Sequence, residues 1–264
     1  MELNNITECR KYFNIPVELI EYAYHKKYEK EFRVYLYLKS KSDGIINEAL
    51  IDYADFRLST GIHDKRTFNK YRDSLLKLNW IGYNKDSKNY FIRGFGALRE
   101  NIELKKRSGV ILKYEDIKNL KSFMEGVIIC KSVRAQNFVT KKALLKKVGQ
   151  AASKNGGALQ ADKFLVNYPA YYGLSNLGIG RKLICSQSHA NRAKKSAEKR
   201  GFIQTNKKEQ TLAIVNSYDS LLKLHSEEGN KIIFRKISGG RIKVSKQLHD
   251  EIIPLITFSR VGRV

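Results

Sequence analysis

The sequence predicts an α+β fold, mainly helical, made of two copies of one unit with short β-hairpins, and three observations carry that expectation. A capped helix start occurs twice: Asp64-Lys65-Arg66-Thr67-Phe68-Asn69-Lys70-Tyr71 leads to Asn79-Trp80-Ile81, and Ser186-Gln187-Ser188-His189-Ala190-Asn191-Arg192-Ala193 leads to Gly201-Phe202-Ile203. The two stretches align without a gap, so capping residue, Asn-plus-base pair and closing apolar pair coincide. Each is followed by short apolar runs around a polar turn, the pattern of a hairpin. The third observation is bulk: a hydrophobic share of 42% and an aromatic share of 11% belong to a chain that buries a core. At 264 residues there is enough chain for two small domains.

The elements follow in order. Residues 3 to 27, with Phe13, Ile15, Val17, Leu19 and Ile20, read as a short arm or edge element. Phe32, Val34, Tyr35, Leu36 and Leu38 suit a buried helix from Glu31, ended by Ser42-Asp43-Gly44. Ile45-Ile46 is a brief strand, Leu50 to Leu58 a second helix, Ser59-Thr60-Gly61 its turn and Asp64 to Leu78 a third helix. On that third helix Phe68, Tyr71, Leu75 and Leu78 fall on one buried stripe, and Asp64 can cap the first turn. Ile81 to Ile92, around Asn84-Lys85-Asp86-Ser87, forms two strands.

Gly94-Phe95-Gly96 and the charged run Arg99 to Ser108 read as a connection between domains spanning 1–105 and 106–264, too charged and too poor in apolar residues to weld them. In the second domain Ile117, Leu120, Met124, Val127 and Ile128 predict an opening helix, continued by a basic helix from Lys141 to Lys147. Gln150 to Ala161 is a flexible loop, Ser175 to Ile184 a helix, and Ser186 to Arg200 the counterpart of Asp64 to Leu78. Ile203-Gln204 and Leu212 to Val215, turning at Asn206 to Glu209, repeat the first hairpin. A short helix at Tyr218 to Leu224 and a C-terminal hairpin about Gly239-Gly240 complete the chain.

Charge narrows the partner. Lys+Arg number 50 against 26 Asp+Glu, a net charge of +24, so a polyanion is expected. Cys9, Cys130 and Cys185 share no close spacing, which leaves no disulfide framework and no zinc ligand pattern. The chain opens without a basic-then-apolar leader and lacks a run of about 18 apolar residues, so it reads as cytoplasmic, with no membrane partner.

The outer faces of the two third helices supply the candidate site. Asn69-Lys70 and Asn191-Arg192 occupy matching places where a helix laid in a major groove meets base edges: Asn pairs with adenine and Arg with guanine. Lys65, Arg66 and Lys195 are placed for phosphates, with Gln187, Ser188 and Lys199 on the same second helix. Arg181-Lys182, Lys194-Lys195 and Lys199-Arg200 make the second unit the more basic, opposed only by Glu198 between Arg181 and Arg200.

Both stretches resemble winged helix-turn-helix domains, the second more closely, through Cys185 to Ala193 and Gly201-Phe202-Ile203. Lys194 and Arg200 stand where that family has core leucines, and Asn79 where it has glycine. The resemblance implies two winged helix-turn-helix domains with β-hairpin wings that bind double-stranded DNA. Paired units of this length are similar to plasmid replication initiators, phage replisome organisers and winged-helix regulators. A role in replication initiation or in transcription regulation of a mobile element stays open, as does a homodimer formed through one unit.

Other classes have weaker support. A structural nucleic-acid binder without sequence preference would share the charge. A metal-dependent nuclease or recombinase would need ligands, yet His25, His63, His189, His225 and His249 form no metal-spaced pair, and Asp52, Asp55 and Asp64 sit on or cap helices. Gly178-Ile179-Gly180-Arg181-Lys182 lacks the spacing and the Ser/Thr of a phosphate loop, and Gly94-Phe95-Gly96 is too short for a dinucleotide motif. No catalytic residue, metal or cofactor is expected.

Overall fold

The structure, a computed structural model, describes residues 11–42, 44–105, 108–154, 173–207, 209–215, 232–247 and 250–261. Among these residues the fold is α+β, with small antiparallel sheets and no barrel. The expected helix at Tyr218 to Leu224 lies outside the described residues.

From residue 11 onward the expected arm is core, and residues 3–10 of it lie outside the described residues. Phe13 and Ile15 alternate inward on β1 (Tyr12–Pro16), and Val17, Leu19, Ile20 and Ala23 line the buried side of α1 (Val17–His25). Pro16 makes the junction, since its fixed φ is compatible with a helix entry and its missing N–H is no loss there. Next, α2 (Glu29–Lys41) buries Phe32 and the run Val34 to Leu38, with Glu29 and Glu31 in its first turn and Lys39 and Lys41 in its last, as the helix dipole favours.

After β2 (Ile45–Asn47) a 3-10 turn occupies Glu48–Leu50, and α3 spans Tyr53–Thr60. The expected start at Leu50 is therefore early by about one turn: the Asp52 carboxylate accepts from the amides of Ala54 and Asp55 at 2.8 and 3.3 Å and sets the first turn there. Asp64 likewise accepts from Arg66 and Thr67 at 3.0 and 3.2 Å and starts α4 (Lys65–Lys77). Phe68 and Leu75 are fully buried on α4, while Tyr71 and Leu78 are half-buried at the border of the stripe. Then β3 (Ile81–Asn84) and β4 (Asn89–Ile92) form a hairpin that β2 extends, in the order β2-β4-β3. Trp80, 1% exposed, meets Phe32 and Tyr35 of α2 edge to face at 5.6 and 5.7 Å.

The expected linker, outside residues 106 and 107, which are not among the described residues, is structured and carries buried apolar side chains. α5 (Phe95–Asn101) buries Leu98, with Phe95, Ile102 and Leu104 packed on the core. β5 (Ser108–Lys113) then pairs with β1, Phe13 opposite Leu112 and Ile15 opposite Val110, and on its other side with β11 (Phe258–Arg260). One sheet thus takes strands from near both ends and from the middle of the chain. α1 packs on α6 (Leu120–Lys154), and a single core cluster runs through both halves. The expectation of two units left unwelded is corrected, because Leu98, Val110 and Leu112, spaced among the charges of 94–113, are buried in that shared core.

A 3-10 turn, Tyr114–Asn119, leads into α6, which stays helical through Lys154, so Gln150 to Lys154 are helix rather than loop; the rest of that expected loop lies outside the described residues. α7 (Asn176–Leu183) and α8 (Gln187–Lys199) follow. α8 matches α4 residue for residue: Ser186 caps where Asp64 does, and β6 (Ile203–Asn206) begins and ends in step with β3. Asn79 and Gly201, which coincide, both take left-handed φ, 57° and 73°.

The second hairpin departs from expectation. β7 (Glu209–Val215) does not pair with β6; it pairs with β9 (Ile242–Gln247), which also pairs with β8 (Ile232–Lys236) in the order β7-β9-β8. The partner of β6 is β10 (Glu251–Pro254), Ile203 opposite Pro254 and Asn206 opposite Glu251, and Gly173 bridges to Glu251 on the far side. In the first unit β3 pairs with β4, and Asn47 of β2 faces Asn89 on its far side. The same order therefore recurs, with the single bridge at Gly173 in the place of β2 and a much longer insertion between the two paired strands.

Candidate nucleic-acid interface

The two capped helices present their polar faces outward because their apolar stripes are used by neighbours. α4 packs on α2, and α8 on α6 and α7. On α8, Ala190, Ala193 and Ala197 replace the larger Phe68, Tyr71 and Leu75 of α4, and α6 fills the space: Phe123 meets Phe202 edge to face at 5.3 Å. Gly180 lets α7 close on the turn, since a β-carbon there would stand 2.8 Å from the Cys185 carbonyl oxygen.

Every residue proposed for contact is accessible. Lys65, Arg66 and Lys70 of α4, and Gln187, Ser188, Arg192, Lys195 and Lys199 of α8, are exposed, while Asn69 and Asn191 are half-buried at the edge of the outer face. Ser188, Arg192, Lys195 and Lys199 fall at spacings of four, three and four, one stripe along α8. The matching stripe on α4 is Arg66, Lys70, Asp73 and Lys77, where Asp73 is held by Arg72 at 2.8 Å. The α8 face is the more positive because it lacks that acid. Glu198, the acid expected to oppose it, instead accepts from the backbone amide of Thr205 at 3.0 Å and from the Thr205 hydroxyl, which draws it toward β6. On α4, Lys65 leans over the Tyr53 ring at 5.0 Å.

Lys194 and Arg200, which depart from the resembled pattern, separate in the structure. Arg200 is exposed just past the helix end, whereas the Lys194 side chain, 9% exposed, forms a 2.6 Å ion pair with Asp250 at the root of β10. Against α8 also stands Glu125 of α6, whose side chain is 4% exposed and lies 3.8 Å from His189 Nε2. Burial pushes its carboxyl above the ordinary range, with Glu29 adding to the effect and Lys121 and the Tyr24 hydroxyl opposing it. These contacts hold α8 in place and leave its outer face free.

The acids considered for a metal site have other partners. Asp52 and Asp64 cap helices, and Asp55 pairs with Lys41 at 2.7 Å and accepts from Ser59 at 3.2 Å. Burial alone would raise Asp55, but Lys41, Ser59 and Tyr37 hold it below the ordinary carboxylate range. Among the described residues no three or more His, Cys, Asp or Glu come together. No described helix is long and apolar enough to cross a membrane.

Sequence reasoning located the C-terminal hairpin, with packing, dimer contact or extra backbone binding as its candidate roles, but assigned none of its residues to the site. Lys236 and Arg241 flank the Gly239-Gly240 turn and are exposed, with Lys243 half-buried beside them. The glycine pair signals the hairpin, but only the distant β6–β10 pairing joins it to the strand that follows α8. Compared with protein-family models, with curated proteins and with solved structures, the chain matches none.

Proposed function

We propose that the protein binds double-stranded DNA through two winged helix-turn-helix units, reading sequence with the outer faces of α4 and α8. One observation carries the reading: the same capped helix, left-handed turn and strand occur twice, and both copies leave an outer face with accessible asparagine and basic residues at matching positions. The apolar stripes already have partners, so packing does not account for the polar side. Asn191 and Arg192 are the candidate base readers, Asn69 and Lys70 their counterparts, and Lys65, Arg66, Lys195 and Lys199 the phosphate contacts. Gln187 and Ser188 present hydrogen-bonding groups at the α8 N-terminus, where the dipole favours a phosphate.

The layout suits a replication initiator or a transcription regulator of a phage, plasmid or other mobile element, and the reading assigns no catalytic step. Selection of bound fragments from a random duplex pool is the test. A recovered motif, bound more tightly than random duplex and than its own single strands, is expected. Asn191→Ala or Arg192→Ala then relaxes preference at one or two positions, at about 1–3 kcal/mol each, while Lys195→Ala weakens all sequences alike. Binding without preference would make the protein a coat, and tighter binding to single strands would remove the groove-reading role.

A further inference from the structure

Between the turn joining α1 to α2 and the turn joining α7 to α8 lies a cleft of about 500 Å³, a volume typical of small-molecule sites. Two of its lining residues, Lys27 and Ile184, take left-handed φ of 62° and 51° just past the ends of α1 and α7. Glycine adopts this conformation without penalty, and α3 ends on one, Gly61 at 69°. A lysine, and more so a β-branched isoleucine, is strained there. The hydrogen bonds of the two helix ends use backbone alone: Lys27 and Tyr28 donate to the carbonyls of Tyr24 and Ala23 at 3.0 and 2.8 Å, and Cys185 to that of Gly180 at 2.9 Å. Glycine would make the same bonds, so capping does not account for the side chains. Packing does not account for Ile184 either, which is 75% exposed. Strained residues that neither cap nor core requires gather where a ligand is held.

The side chains set the sign of that ligand. α1 and α7 end at the cleft while α2 and α8 begin there, so helix dipoles of opposite sense meet and largely offset each other. Lys27 and Lys121 bring two cations to the wall, and His189 an imidazole. Glu29, the acid that lines the cleft, is ion-paired with Arg33 at 2.5 Å. Glu125 is enclosed, its side chain 4% exposed, and it accepts from the Tyr24 hydroxyl and lies 3.8 Å from His189. Both acids are thus engaged by the protein, and the balance left for a ligand is positive. Ile184 and the half-buried Tyr24 ring add apolar surface beside those charges.

We infer that this cleft binds a small organic anion, whose carboxylate or phosphate is held by Lys27 and Lys121 with His189 as a further donor, and whose apolar body rests on Ile184 and Tyr24. The strain at Lys27 and Ile184 is then the cost of presenting one charge and one apolar side chain to the same ligand.

The test uses the full chain without DNA, so its result is independent of the function proposed above. Cys185 lines the cleft, and its alkylation by iodoacetamide, followed by peptide mass apart from Cys9 and the buried Cys130, reports occupancy. Benzoate, hexanoate and phenyl phosphate are the probes. At least one should protect Cys185 with half-effect at about 1 mM or below, as suits a ligand of about ten non-hydrogen atoms. Benzyl alcohol and inorganic phosphate, which carry the apolar body and the charge separately, should protect about tenfold more weakly or not at all. Lys27→Gly and Ile184→Gly remove the charge and the apolar wall in a conformation that glycine prefers, so both variants stay folded, and each should raise the half-protecting concentration by about fivefold or more. Lys121→Gln should do the same. Lack of protection by all three organic anions up to about 10 mM would overturn the inference. Equal protection by benzyl alcohol or inorganic phosphate would overturn it too, as would unchanged protection in the two glycine variants.

Discussion

The Lys194–Asp250 pair allows a demanding prediction, because it joins the proposed reading helix to the residue before β10 and is nearly enclosed. The two side chains are 9% and 15% exposed, their charged atoms lie 2.6 Å apart, and the second carboxylate oxygen of Asp250 is buried without a hydrogen-bond partner. Lys194→Met should keep most of the packing and leave the carboxylate buried alone. Removing one member of a buried pair costs about 3–5 kcal/mol; residual access puts this one near ~3 kcal/mol, a melting-temperature loss of roughly 6–12 °C for a chain of this size. Asp250→Leu should cost a similar amount by stranding the ammonium. The double variant should return to within about 1 kcal/mol of the parent, since a pair replaced by apolar residues no longer needs desolvation compensated. Denaturant and thermal unfolding of the four proteins measure the cycle. Single losses under about 1 kcal/mol would mean that solvent already screens the pair as it does on a surface, and a double variant as unstable as the sum would show no coupling; either result refutes the reasoning.

Three other outcomes are expected. Ile184, a β-branched residue 75% exposed at φ 51° in the turn where the first unit has Gly61, should give a protein more stable by about 1 kcal/mol when changed to Gly; a loss of stability on thermal unfolding would show a contact that offsets the strain. Glu125→Gln should raise the melting temperature at neutral pH and flatten its fall with rising pH. Because burial lifts this carboxyl above 4.5, its ionisation opposes folding increasingly as pH climbs from that value through the folded one, so a Gln variant less stable at pH 7 would contradict the assignment. Residues 1–105 expressed alone should lack a cooperative unfolding transition, since β1 loses β5 and α1 loses its packing on α6; a folded, monomeric fragment would count against a shared core.

What the sequence determined by itself was local. Caps at Asp64 and Ser186, apolar stripes, and the gapless match of the two helices follow from short-range hydrogen bonding and helical period, and both helices begin where their capping side chains place them. The accessibility of the contact residues was legible for the same reason: with Phe68 and Leu75 or Ala190 and Ala197 inward, Lys70 and Arg192 must point away. Tertiary structure alone decided the partners of strands. Residues 203–206 and 209–215 look like the two arms of one hairpin, yet edge hydrogen bonds can be completed by any strand that arrives in register, and β10 and β9 arrive from 45–51 and 27–38 residues farther along the chain. The weld between the halves was hidden likewise, because Leu98, Val110 and Leu112 are few among charges and their shared inward direction exists only once β1, β5 and β11 lie side by side. Periodicity records which side of an element is buried; it carries no information about what buries it.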